Sequence, residues 1–244
     1  MAALPREVRP FLRRVRVEAV DDLGAPAWEF ALGRGRAALV LSGMGPDAAA
    51  RAARHGLARY RPETLISLGF GGALTPELAP GAVVLGESFW DFRPGTGELR
   101  TAPAPPPPRP LTELLGPLQE SGLPAFTGSL VTTPFIIHKA GQGRALRGLP
   151  RPVLDLETAP LAALAAARGL TFVGLRVITD GAADEIPDFL RQGWQAGGEP
   201  GLATALAWVG RDPRRLLALL NLWRRSRTGA RLLARSLKVL LPLL

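Results

Sequence analysis

The sequence has no cysteine and only two histidines, His55 and His138, among its 244 residues. The absence of cysteine excludes disulfides and thiolate chemistry, and it fits a cytoplasmic protein. The histidines are far apart and have no ligand-type neighbour, so we expect neither a metal site nor a Ser-His-Asp triad. There is no uncharged apolar run of about 18 residues and no apolar core near the N-terminus. We therefore predict neither a membrane-spanning helix nor a signal peptide.

Negative charge is scarce at the C-terminal end of the chain. The formal net charge is +9, and residues 201–244 carry nine cations against one anion, Asp212. The sequence pI of about 11.4 is therefore a property of this end and does not indicate that the rest of the chain binds nucleic acid. The arginines there share their segment with leucines rather than with stacking aromatic residues, so we expect no nucleic-acid partner.

Apolar runs alternate with alanine- and leucine-rich segments along most of the chain, which is 47% hydrophobic. The apolar runs predict strands at 37–42, 64–68, 82–88, 126–133 and 172–179. The intervening segments predict helices at 46–60, 111–120 and 158–168. This alternation indicates βαβ units and an α/β fold. The proline-rich segment 102–110 is interpreted as a stiff surface loop, with a recognition motif as the alternative.

The last 45 or so residues differ from the rest, so we predict a domain at 1–198 and a basic helical extension at 199–244. Cations recur there every three or four positions, at Arg224, Arg227, Arg231, Arg235 and Lys238. Leucines lie largely on the other side, at Leu233, Leu237, Leu240, Leu241 and Leu244. This pattern predicts an amphipathic helix. The leucines either dock on the protein or sit on anionic lipid, and the apolar end of the chain slightly favours lipid.

Carboxylates lie at the ends of two predicted elements, a helix and a strand. Asp155 and Glu157 precede a helix, and Asp180 ends a continuous apolar strand. In α/β folds the ends of buried strands commonly build the functional site. Two carboxylates brought to one cleft from separate elements indicate acid and base catalysis on a polar substrate.

Several motifs resemble the purine nucleoside phosphorylase and nucleosidase superfamily. They occur in the family's order over roughly residues 1–190: Ala2–Val8, Gly69–Leu74 with Leu78–Leu85, Thr133–Ile136, Leu156-Glu157 and Ile178-Thr179-Asp180. The resemblance implies a three-layer α/β/α sandwich with a twisted mixed sheet. It also implies cleavage of the N-glycosidic bond of a purine nucleoside, no cofactor, and a homo-oligomer. The proline-rich insert and basic tail are most similar to the hopanoid-associated phosphorylases, which are thought to remove adenine from adenosylhopane.

The resemblance also implies roles for individual residues. Asp180 would protonate the leaving base, although an aspartate before a glycine is also typical of a turn. Glu157 would bind the ribose hydroxyls, although a first helical turn also favours an acidic residue. Phe135 would stack on the purine, with a core position as the alternative. The Ile136 backbone would read the base edge, and Leu156, Gly71 and Gly72 would complete the substrate site.

Glu7 would activate the attacking water. The family usually has a full strand before this glutamate, and this sequence begins where that strand should end. A start placed too late and a lost strand are both consistent with this. We expect exposed sheet edges and a poorly held Glu7.

The nucleophile is water or phosphate. Gly43 and Gly45 form a turn before a helix and are a weak candidate phosphate site. Hexameric phosphorylases commonly have an arginine and a serine where this chain has Ser67 and Phe70, so hydrolysis is slightly favoured. Phosphorolysis is one alternative. Another is a non-catalytic, lipid-associated protein on the same fold. In each case we expect a cytoplasmic protein, with peripheral contact to the inner face of the membrane through residues 211–244 as an option.

Overall fold

A computed structural model describes residues 1–20, 24–33, 35–187, 191 and 214–244. Its helices are α1 (Pro5–Leu12), α2 (Pro46–Tyr60), α3 (Leu111–Glu120), α4 (Thr158–Arg168) and α5 (Arg214–Leu240). Its strands are β1 (Glu18–Val20), β2 (Ala27–Leu32), β3 (Gly35–Val40), β4 (Thr64–Ala73), β5 (Val83–Arg93), β6 (Glu98–Thr101), β7 (Ala125–Thr132), β8 (Val153–Asp155) and β9 (Thr171–Asp180). The apolar runs thus form strands, and the three predicted helices have the predicted bounds.

The main sheet has the strand order β6-β5-β7-β8-β4-β9 and is mixed. Strands β4 and β9 are parallel, as are β5 and β7, whereas β8 runs antiparallel to β4. Strand β5 also pairs antiparallel with β9, so the sheet curls back on itself. As a result, the carboxyl ends of β4, β8 and β9 lie close together.

Helices cover both faces of this sheet, which confirms the three-layer α/β/α prediction. Helices α2 and α4 pack on one face through small and branched side chains such as Ala53 and Leu161. Helices α1, α3 and α5 pack on the other face through side chains such as Phe11, Leu118 and Leu233. Alanine-rich helices bury little side-chain volume, so they approach the sheet closely. The remaining strands β1, β2 and β3 form a separate antiparallel sheet.

Helix α5 is part of the core. Its leucines Leu233, Leu237 and Leu240 are at most 2% exposed, and Leu241 is also buried. They pack with α1 and with β9. The interpretation that these leucines sit on lipid is therefore wrong, because a helix that is amphipathic for a protein core has the same pattern as one for a membrane. The boundary predicted at 198 and 199 lies outside the described residues. Within the ranges described, no helix combines the length and apolar character that a membrane span requires.

The start of the chain lies between β3 and β4. The Ala2 amide donates to the Val40 carbonyl at 3.0 Å, and the Leu68 amide donates to the Met1 carbonyl at 3.0 Å. The Met1 amino group donates to the Ile66 carbonyl at 2.8 Å. A cavity of about 1180 Å³ lies beside Met1, between β3 and β4. Apart from the bond between Ala2 and Val40, β3 pairs only with β2 among the strands described, so the rest of its edge next to this cavity has no strand partner.

Glycines allow β4 to run further than predicted. Residues 69–72 continue the strand to Ala73 instead of ending it in a turn. A Cβ on Gly71 would lie 2.5 Å from Val153 Cγ1 in β8. Only glycine therefore lets β4 pair with β8 at this point, and that pairing brings β8 and its Asp155 to the site.

Candidate active site

One cavity lies at the carboxyl ends of β4, β8 and β9, and it is closed by α1 and α5. Its carboxylates are Glu7, Asp155, Glu157, Asp180 and Glu185, and its cations are Arg6 and Lys139. Apolar side chains complete the lining, including Leu4, Met44, Phe70, Ile136, Ile137, Leu154, Leu156, Ile186 and Leu222. Such a lining, apolar with a few converging charges, is typical of a small-molecule site.

Glu7 is firmly held, contrary to the expectation from the short N-terminus. Its Oε2 accepts hydrogen bonds from the amides of Ala3 at 3.0 Å and Leu4 at 2.9 Å. Its Oε1 accepts from the Phe70 amide at 3.2 Å. A Cβ on Gly69 would lie 2.9 Å from Oε1, so the glycine makes room for the carboxylate. The turn before α1 and strand β4 therefore replace the support expected from a preceding strand.

Burial raises the pKa of Glu7, and this effect outweighs the backbone hydrogen bonds and the nearby Arg176, which lower it. The side chain is buried, with the residue only 5% exposed. A carboxylate with a raised pKa is a stronger base. This environment thus suits a group that removes a proton from water.

Glu157 lies at the N-terminus of α4 and contacts the N-terminus of α2. The Gly45 amide donates to Glu157 Oε1 at 3.1 Å, and Arg176 Nη2 lies 4.0 Å from Glu157 Oε2. Burial is the largest influence on this carboxyl, and with repulsion from Asp155 and Glu7 it outweighs Arg176 and the Gly45 amide, which act in the opposite direction. The net effect raises the pKa of Glu157 to about 8. Its side chain is still 13% exposed.

Asp180 forms a buried ion pair with Lys139. The Nζ atom lies 2.5 Å from Asp180 Oδ2, and the side chains are 4% and 10% exposed for lysine and aspartate respectively. The same Nζ donates to the carbonyls of Asp180 at 3.1 Å and Gly181 at 2.8 Å. Thr179 donates to Asp180 Oδ1 at 2.9 Å. A Cβ on Gly72 would lie 2.5 Å from Asp180 Oδ2, so glycine is required beside the pair.

A buried polar network supports the floor of the site. Arg176 Nε lies 3.3 Å from Asp155 Oδ2, and both side chains are at most 1% exposed. Arg176 Nη2 donates to Thr158 Oγ1 at 2.7 Å and to Ser67 Oγ at 2.9 Å. Asp155 Oδ1 accepts from the Thr158 amide at 3.0 Å and so caps α4. The network fixes the turn that carries Glu157.

The structure brings most of the predicted site residues to this cavity. They are Glu7, Gly71, Gly72, Ile136, Leu156, Glu157 and Asp180. Phe135 does not line the cavity and packs instead on a cluster that includes Phe92 and Ile137. Of the residues that the structure describes, Phe70 is the aromatic one that lines the cavity. Neither Gly43 nor Gly45 lines the cavity, and the Gly45 amide is bonded to Glu157 rather than being free for phosphate.

Sequence reasoning missed Lys139, Arg176, Phe70 and the contribution of α5. Arg176 interrupts an otherwise apolar strand, which is a readable signal of a buried charge with a partner. Lys139 is one of only two lysines in a chain rich in arginine, but its loop has no periodicity to place it. From α5, Leu222 and Ser226 line the cavity, and Arg225 bonds Asp184 at 2.5 Å.

Comparisons with known proteins give a consistent assignment. No curated protein sequence matches the chain significantly. The chain is similar in structure to a futalosine hydrolase mutant of Helicobacter pylori strain 26695, with a TM-score of 0.72 and 14% identity, covering 100% of this chain and 97% of that one. It is also similar to 5′-methylthioadenosine/S-adenosylhomocysteine nucleosidase from Neisseria meningitidis, with a TM-score of 0.71, 21% identity and coverage of 100% and 97%.

A third similar structure is S-adenosylhomocysteine nucleosidase from Streptococcus pyogenes, with a TM-score of 0.70, 16% identity and coverage of 100% of this chain and 94% of that one. At these identities the likeness establishes the fold. The family model of the phosphorylase superfamily matches residues 1–198. Because this match spans most of the chain, the protein belongs to the phosphorylase superfamily.

Proposed function

We propose that the protein hydrolyses the N-glycosidic bond of a purine nucleoside of the adenosine type and releases the base. The observation that carries this proposal is the convergence of Glu7, Glu157 and Asp180 on one cavity with apolar walls. The neighbouring structures include nucleosidases and a futalosine hydrolase, and one was solved with methylthio-immucillin-A.

The three carboxyl groups have complementary roles in this reaction. As the bond between sugar and base breaks, its electron pair moves to the purine and positive charge develops on the sugar. Asp180 passes a proton to the departing base, and Glu157 binds the ribose hydroxyls near the developing charge. Glu7 removes a proton from the water that attacks the sugar. The logic parallels glycoside hydrolysis by paired carboxyl groups.

The charge of the cavity supports water rather than phosphate as the nucleophile. Among the described residues that line it, five are carboxylates and two are cations, Arg6 and Lys139. Lys139 is already paired with Asp180. Ser67, where hexameric phosphorylases commonly have an arginine, is buried and bonded to Thr158 and Arg176. Lys139 and Arg176 are thus engaged by carboxylates of the protein, so a phosphate dianion would have to displace Asp180 or Asp155 to reach them, which a water molecule does not.

The apolar lining supports an apolar 5′ group on the substrate. Leu4, Met44, Ile186 and Leu222 join the charged residues in the cavity, and Leu222 belongs to α5. These side chains offer no partner to a phosphate or an amino acid at the 5′ position. An adenosine that carries a hydrocarbon at this position, such as a hopanoid nucleoside, is the substrate class that this lining favours.

The first half of α5 supports peripheral contact with a membrane at this end of the protein. Leu217, Leu220 and Trp223 are 64%, 40% and 55% exposed. Arg227 stacks on Trp223 with 4.5 Å between the guanidinium carbon and the ring centre. Exposed apolar side chains beside cations are typical of a helix that lies on anionic lipid. Leu222, on the same turns, lines the cavity, so a lipid-linked substrate would have a short path to it.

The test is release of free base from a panel of 5′-substituted adenosines. Inosine is included to compare release of hypoxanthine with release of adenine. Release of adenine, faster for an apolar 5′ substituent than for a hydroxyl, is the expected result. No base from any member of the panel would contradict the proposal. Whether the protein forms a homo-oligomer stays a prediction, to be checked by light scattering.

A further inference from the structure

Asp180 is bonded in a way that raises a question about its role as an acid. In the structure, the Asp180 carboxylate is already bound to the Lys139 ammonium group. A departing purine nevertheless needs a proton. The proposed function therefore requires a source for it, and the cavity offers one in direct contact with the Asp180 carboxylate.

Lys139 satisfies the geometry of such a source. Its Nζ carries three protons, and the structure provides three acceptors: Asp180 Oδ2 at 2.5 Å, the Gly181 carbonyl at 2.8 Å and the Asp180 carbonyl at 3.1 Å. The three acceptors fix the ammonium group and the end of β9 together. Lys139 is 3% exposed and lines the cavity, so its ammonium group is buried beside the substrate site.

We propose that Lys139 is the positioning residue of Asp180 and holds the proton that Asp180 delivers to the leaving purine. This inference rests on the proposed function and names the proton source within the same site. In the step, an Nζ–H bond breaks as Oδ2–H forms, and Oδ2–H breaks as a nitrogen of the purine takes the proton. The electron pair of the broken glycosidic bond stays on the purine. Lys139 is left as a neutral amine; after the products leave, it takes up a proton from solvent while Glu7 releases to solvent the proton it took from the attacking water.

Other charged groups surround the pair and are common to every variant considered below. From the neighbouring loops these are His138, Asp184 and Glu185, from α5 it is Arg225, and across the cavity they are Arg6, Glu7 and Glu157. Glu185 also fixes the loop of Lys139, because its carboxylate accepts from the amides of Lys139 at 3.2 Å and Ala140 at 2.8 Å. The position of Nζ is thus set from both ends of the lysine.

A proton-holding lysine and a merely structural one predict different pH profiles. With Lys139, an ammonium proton is in contact with Oδ2 and ready for delivery, whereas without it Asp180 must take each proton from solvent, where protons become scarcer as pH rises. Lys139→Met should therefore lower kcat about 100-fold near pH 9 and less than about tenfold near pH 6, within the range for general acid catalysis. The alkaline limb of the profile should move towards lower pH. A loss that is equal at all pH values, or no loss, would overturn the proposal.

Lys139→Arg separates charge from proton transfer. A guanidinium can bond the same three acceptors but does not give up its proton in a protein. We expect this variant to be as slow as Lys139→Met at alkaline pH, and recovery of activity would show a purely electrostatic role. Lys238→Met is the matched control, because Lys238 is the other lysine of the chain and lies exposed on α5.

A measurement on the unaltered protein keeps the inference testable if the buried variants do not fold. Its kcat should change by less than about tenfold between pH 5 and pH 7, because the proton comes from the bound ammonium group rather than from solvent. A fall of about tenfold for each pH unit over this range would overturn the inference. If the unaltered protein releases no base from any nucleoside, the proposed function itself fails. If it releases base while the Lys139 variants keep its profile, only this inference fails.

Discussion

The Gly45 amide donates a hydrogen bond of 3.1 Å to Glu157 Oε1. Gly45 is the residue before α2, so the positive end of this helix faces a carboxylate of the protein itself. A helix N-terminus is a ready site for phosphate, and here its amide is already used by the residue proposed to bind the ribose. This contact links the strand-turn-helix motif at Gly43 to the sugar site, and it supports hydrolysis.

Asp180→Asn should reduce base release by about 10²–10⁴-fold, the usual effect of losing a general acid. Asparagine keeps the shape of the side chain but has no carboxylate to pass a proton. The measurement is kcat for adenine release, with circular dichroism to verify folding. Asp91→Asn is the control, because Asp91 lies outside the cavity and pairs with Arg93. Near-normal turnover of Asp180→Asn would refute the assignment of Asp180 as the general acid.

Glu157 should make the free energy of unfolding fall as pH rises, and Glu157→Gln should abolish this part of the fall. Because the pKa of Glu157 is raised from 4.5 to about 8 on folding, the folded protein keeps a proton that the unfolded chain has lost between these values. Its contribution to stability is therefore present below about pH 4.5 and lost on approach to pH 8. The free energy of unfolding of the unaltered protein, relative to that of the variant, should fall by about 2–4 kcal/mol between pH 5 and pH 8.

The N-terminal amino group acts in the opposite direction and cancels in this comparison. Burial lowers the pKa of the Met1 amino group to about 5, so its contribution rises with pH in both proteins. Urea unfolding at several pH values provides the measurement. Parallel curves for Glu157→Gln and the unaltered protein would show that Glu157 does not retain a proton on folding.

Leu237→Ala should lower the free energy of unfolding by about 2–5 kcal/mol, the range for a large-to-small change in a core. Leu237 is 2% exposed and packs where α5 meets α1 and the sheet. Val239 lies on the same helix but is only partly buried, so Val239→Ala should cost less. Equal and negligible losses in the two variants would mean that α5 is not part of the core.

A Leu220→Ser, Trp223→Ser double variant should lose sedimentation with anionic vesicles while keeping its folding and its base release from a soluble nucleoside. Both side chains are exposed, so their replacement removes apolar surface without opening a cavity in the core. Vesicles of phosphatidylglycerol and of phosphatidylcholine serve as the charged and neutral probes. Undiminished binding of the double variant to phosphatidylglycerol would exclude this face as the contact.

Much of the fold is readable from the sequence because long apolar runs and alanine-rich segments are strongly periodic. The run that ends at Asp180 forms β9, and the segment after Glu157 forms α4, as predicted. Periodicity also gave α5 an apolar face, but it does not say what covers that face. In the structure, the second half of α5 packs its apolar face on the core of the protein.

The site was predictable where a residue ends an element, and less so where it lies in a loop. Glu7, Glu157 and Asp180 are all positioned by element ends. Phe135 and Lys139 follow β7 in a loop, and sequence spacing does not determine which of them reaches the cavity. The structure shows that Lys139 does, and that the aromatic residue there is Phe70, which the glycine-rich extension of β4 delivers.

The most direct test of the account is adenine release from a 5′-alkyl adenosine in buffer free of phosphate, with the sugar product identified by mass spectrometry. Because Lys139 and Arg176 are already paired with Asp180 and Asp155, we expect release without phosphate, a free sugar as the product, and no acceleration when phosphate is added. Glu7→Gln should lower this rate by about 10²-fold or more, because it removes the base that activates water. Release that depends on phosphate and yields a sugar 1-phosphate would contradict the account.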